Sequence, residues 1–66
     1  MKLYSFIKRL SSSNTEILVL DCIEESEITR GEAWQLEDDS VLRNQEVKHW
    51  DYEIRNGAEA VIVVWI

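Results

Sequence analysis

The chain has 66 residues, a formal net charge of −6 and a single cysteine. A chain this short is one domain, residues 1–66, burying only about 60% of the surface its unfolded form exposes, so its stability margin is thin. One cysteine excludes an internal disulfide, and one cysteine with one histidine is too few for a structural zinc site. Of the usual staples of a small domain, a partner subunit is left, and a homodimer is expected on that ground.

Leu3, Phe6, Ile7 and Leu10 stand at i, i+3, i+4 and i+7, the apolar stripe of a short helix. Lys8 and Arg9 fall in its last turn, where cations suit the helix dipole, and the polar run 11–14 ends it. This opening segment lacks the unbroken apolar run and cleavage site of a secretory leader. The longest apolar run, residues 60–66, is too short to cross a bilayer. With a lone cysteine suited to a reducing compartment, a cytoplasmic protein without a membrane partner is expected.

Residues 16–23, E-I-L-V-L-D-C-I, read as a strand that is apolar on both faces, with Cys22 a small buried hydrophobe inside it. A turn at 24–26 leads to a second strand at 27–30, which Gly31 ends or bulges. Residues 32–42 read as a short helix or irregular turns, with Ala33, Leu36, Val41 and Leu42 inward and a polar break at Asp38, Asp39 and Ser40.

Two segments, 45–55 and 58–66, flank Asn56-Gly57, the strongest short hairpin signal, because a type I′ turn needs two positive φ values. A two-residue loop there sets Tyr52 opposite Val61 and Trp50 opposite Val63 on the core face, with Ile54 beside them. His49, Asp51 and Glu53 then face Val64, Ile62 and Ala60. The last strand, A-V-I-V-V-W-I, is apolar on both faces and is expected at the centre of the sheet, or at an edge that a partner covers. The fold class is α+β: a short N-terminal helix on a small, mainly antiparallel sheet with a C-terminal β-hairpin.

Charge is unevenly spread. Residues 16–39 hold nine acids against the single base Arg30, a net of eight negative charges. Direct binding to nucleic acid is disfavoured, because phosphate contacts need Lys and Arg. A basic protein surface is the complement, and solubility alone is the competing explanation. The candidate partner-binding residues are Glu24, Glu25, Glu27, Glu32, Trp34, Glu37, Asp38 and Asp39, with Trp34 either an interface anchor ringed by acids or a lid on the core.

No catalytic, cofactor or metal site is expected. His49 and Asp51 are close enough in sequence to share a hydrogen bond, but no nucleophile stands beside them. The acidic runs do not match a calcium-loop pattern, and the only glycines, Gly31 and Gly57, make no phosphate loop. The chain is read as a binding protein and not an enzyme.

The helix K-L-Y-S-F-I-K-R-L, the strand I-L-V-L-D, and the hairpin introduced by L-R-N-Q-E-V and ending V-I-V-V-W-I, in a short acidic chain, resemble the small accessory proteins of phages and prophages in Gram-positive bacteria. In general character the chain is most similar to the type II anti-CRISPR proteins. The resemblance spans all 66 residues but rests on no specific motif, so it carries over no site residues. It implies an inhibitor of a CRISPR effector nuclease, acting in the host cytoplasm by blocking the basic DNA- or RNA-binding surface. The alternative is a homo-oligomeric structural or regulatory phage protein, paired through its last strand and Trp65.

Overall fold

The computed structural model of the chain describes residues 1–10, 14–55 and 59–66. The serine tract and the Asn56-Gly57 turn assigned above lie outside these residues. Helix α1 spans Leu3–Lys8 and buries Leu3, Phe6 and Ile7, with Leu10 packed against the same cluster. Strands β1 (Glu16–Leu20) and β2 (Glu27–Glu32) follow, then the one-turn helix α2 (Ala33–Glu37), a 3₁₀ turn at Leu42–Asn44, and strands β3 (His49–Arg55) and β4 (Glu59–Trp65).

The sheet order is β2-β1-β4-β3. β1 pairs antiparallel with β2 and parallel with β4, and β4 pairs antiparallel with β3. The α+β class therefore holds, and the doubly apolar last strand is central, hydrogen-bonded on both sides. A second chain has no free edge of β4 to pair with.

The two faces of the sheet are covered differently. Ile17, Val19 and Val64 pack under α1 and α2 with Leu3, Phe6, Ile7, Ala33 and Leu36. Burying such side chains contributes about 1.5–3 kcal/mol each. The other face holds a smaller cluster of Leu18, Val61 and Val63, flanked by Leu20 and Trp65, to which neither helix contributes. Residues from the edge strands lie across from it: Arg30 opposite Leu18, Asp51 opposite Val63 and Glu53 opposite Val61.

Three local expectations are corrected. The first strand stops at Leu20, not at residue 23. Asp21 Oδ1 accepts the N–H groups of Ile23 at 2.8 Å and Glu24 at 2.9 Å, and this turn competes with extended backbone. Cys22 is consequently exposed, and Ile23 is 88% exposed. Val41 points outward at 66% exposure, while Leu42 packs on the core.

The hairpin register also differs. Trp50 pairs with Val64, Tyr52 with Ile62 and Ile54 with Ala60, and the last pair, Arg55 with Glu59, leaves three residues between. His49, Asp51 and Glu53 therefore oppose Trp65, Val63 and Val61. A one-residue change of register moves every side chain to the other face of its partner strand. β4 is apolar on both faces, so its own pattern does not distinguish the two registers.

Candidate partner interface

The acidic residues singled out in the sequence lie along the β2 edge and α2, but not as one cluster. Glu24 and Glu25 sit in the β1–β2 connection, Glu25 with a left-handed φ of 58°. Glu27 begins β2 and pairs with Arg30 at 3.4 Å. Glu32 closes β2 at the far end of the ladder, opposite Glu16. The span from Glu27 to Glu32 is about 17 Å at strand rise.

At that far end α2 starts. Gln35 reaches back so that its Oε1 accepts the Glu32 N–H at 2.9 Å, the reverse half of a capping box. The same oxygen lies 2.9 Å from where a Cβ on Gly31 would sit, so a side chain there would displace this cap. Trp34 projects outward, 46% exposed, and its indole N–H donates to Glu32 Oε2. It does not close the core; Ala33 and Leu36 do.

Glu37 is half-buried and faces Lys8 at 3.7 Å. Asp38 is exposed, whereas Asp39 supports the backbone that follows it. Its Oδ1 accepts the N–H groups of Val41 at 3.0 Å and Leu42 at 2.9 Å and so starts the 3₁₀ turn. Glu16 was not among the candidates, yet it belongs to the set. Its register with Glu32 sets two carboxylates across one ladder, beside an open depression also bordered by Thr15, Gly31 and Gln35. Like charges directly opposite each other destabilise a sheet. That pairing is invisible until the strands are aligned.

A second region, expected in the core, lies at the surface. Trp50 and Tyr52 are on the β3 edge and are 51% and 60% exposed. α1 packs over β1 and β4, and Phe6 reaches Trp50, with ring centroids 5.4 Å apart. Met1, Phe6, Arg9, Leu10 and Trp50 line a groove of about 240 Å³ there. Arg9 has no ion pair or side-chain hydrogen bond among the described residues. By contrast Arg43 and Lys8 approach the Tyr4 ring, at 4.2 and 5.0 Å from its centroid.

His49 packs on Trp65, ring centroids 5.1 Å apart, and Asp51 Oδ1 accepts the N–H of Tyr52 at 2.7 Å. Among the described residues no three His, Cys, Asp or Glu side chains are grouped to hold a metal ion. No helix among them is long and apolar enough to cross a membrane. No family model, no characterised protein and no solved structure matches the chain.

Proposed function

We propose that the chain is a non-catalytic inhibitor that docks the acidic β2–α2 side, with Trp34 as its apolar anchor, on the nucleic-acid-binding surface of a basic protein. The most specific form of this reading is a CRISPR effector nuclease, in keeping with the resemblance to type II anti-CRISPR proteins. The observation that carries it is the opposed pair Glu16 and Glu32 beside the half-exposed Trp34. Solubility needs acids anywhere on a surface. It does not need two of them across one ladder, where they work against the fold. An arginine-rich partner groove would relieve that repulsion and bury the indole.

The test is DNA cleavage by a guide-loaded type II effector, titrated with the protein at several salt concentrations. Inhibition is expected to weaken steeply as salt rises. Reversal of Glu16, Glu24, Glu25 and Asp38 to lysine is expected to abolish it while the far-UV circular dichroism stays unchanged. Asp39 and Glu37 are left intact in that variant, since both hold the fold locally. Cleavage untouched by the wild type, or inhibition untouched by the reversal, would overturn the reading.

A further inference from the structure

The groove at the β3 edge and the Trp34 protrusion at the β2 edge complement each other. The groove is apolar and aromatic, and Arg9 at its rim has no acidic partner among the described residues. Trp34 is a half-exposed indole with Glu32 hydrogen-bonded to it, and Glu37, Asp38 and Asp39 stand at and just past the other end of the same short helix. The groove is built from α1 and β3, whereas Trp34 projects from α2 beyond β2, and β2 and β3 are the two edges of the sheet, about 14 Å apart at the usual strand spacing.

We propose that the chain associates head to tail with a second copy, Trp34 of one seated in the Met1–Phe6–Leu10–Trp50 groove of the next and its acids facing Arg9. The contact is heterologous, so association continues beyond two copies unless it closes into a ring. It shares Trp34 with the partner surface proposed above, and the two contacts compete. Mass measured with no partner present tests the self-contact alone.

Sedimentation equilibrium over a wide concentration range, at low and high salt, is the experiment. The wild type is expected to show a mass that rises with concentration and falls with salt. Trp34→Ala and Arg9→Glu are each expected to weaken association by on the order of tenfold or more, since a buried aromatic anchor dominates such contacts. Both residues are exposed, and unchanged thermal unfolding serves as the control on fold. The decisive arm mixes the two variants. Trp34→Ala keeps its groove and Arg9→Glu keeps its indole, so the mixture is expected to form a one-to-one dimer that grows no further. A wild type that stays monomeric throughout, or a mixture that does not pair, overturns the proposal. Association lost in Trp50→Ala but kept in Trp34→Ala overturns it too, pointing to a symmetric aromatic contact.

Discussion

The two edge strands of this sheet deal with the same hazard by different chemistry. An edge strand offers unpaired backbone groups to any passing chain. β2 is guarded by charge and irregularity: Glu27, Arg30 and Glu32 along it, and a register shift where it leaves Leu20. Along its outer edge β3 meets its own chain at its approach. Met1 and Leu3 pair with Val47 and Gln45 just before it, and Asp51 takes the N–H of Tyr52. The contrast separates two kinds of exposed surface. At β2 the charges exceed what protection needs, to the point of opposing Glu16 to Glu32. At β3 one side chain takes a backbone N–H, while two aromatic rings stay half in water. These two surfaces are the ones on which the proposed contacts rest.

Perturbing the acidic side should divide its carboxylates into those that hold structure and those that do not. The largest effect is expected at Asp39. Asp39→Ala removes the acceptor of two N–H groups and should cost about 1 kcal/mol, read by urea unfolding. Asp38→Ala, one residue away, should stay within about 0.5 kcal/mol of wild type. Equal losses from the two would erase the distinction.

A smaller change of opposite sign is expected at the opposed pair. Glu16→Gln should stabilise the fold by about 0.2–1 kcal/mol in the same unfolding assay, by removing a like-charge cross-strand contact. It should at the same time weaken inhibition, the trade expected of a residue kept for function. Stability gained with inhibition intact would reduce the pair to an accident of packing.

The smallest effect concerns pH. The N–H of Glu24, and then that of Ile23, hold the Asp21 carboxyl below its ordinary range. The N-terminal ammonium does the same for Glu46, which it meets at 2.6 Å. A carboxyl with a lowered folded-state pKa stabilises the fold above its unfolded value, and that contribution fades as pH falls through the folded value. Stability should therefore decline slightly below the ordinary carboxylate range, and Glu46→Gln should flatten part of the decline. Both carboxyls lie at the surface, so the effect is small and high salt should shrink it further. Carboxyl titration followed by NMR would contradict this if either group titrated at or above its ordinary value.

The parts of the fold that are legible in the sequence are those set by local period. The stripe Leu3, Phe6, Ile7 and Leu10 makes only a helix, and the double apolarity of residues 60–66 calls for cover on both faces of the last strand, which the sheet order meets by placing it at the centre. The capping role of Asp21 is not legible, because the mostly apolar run at 16–23 looks continuous until one carboxylate is seen taking two N–H groups. The candidate interface is legible as a stretch of charge but not as a surface, since acids a few residues apart in sequence end up about 17 Å apart along β2.

What the sequence determined by itself is therefore the α+β class, the first helix, the need to cover both faces of the last strand and the acidity of residues 16–39. Tertiary structure alone decided the hairpin register, the meeting of Glu16 with Glu32, and the exposure of Trp34, Trp50 and Tyr52. The physical reason is common to all three. A local pattern reports which residues avoid water, but where a strand is apolar on both faces, or an aromatic ring stands at an edge of the sheet, the outcome is set by which elements cover which others.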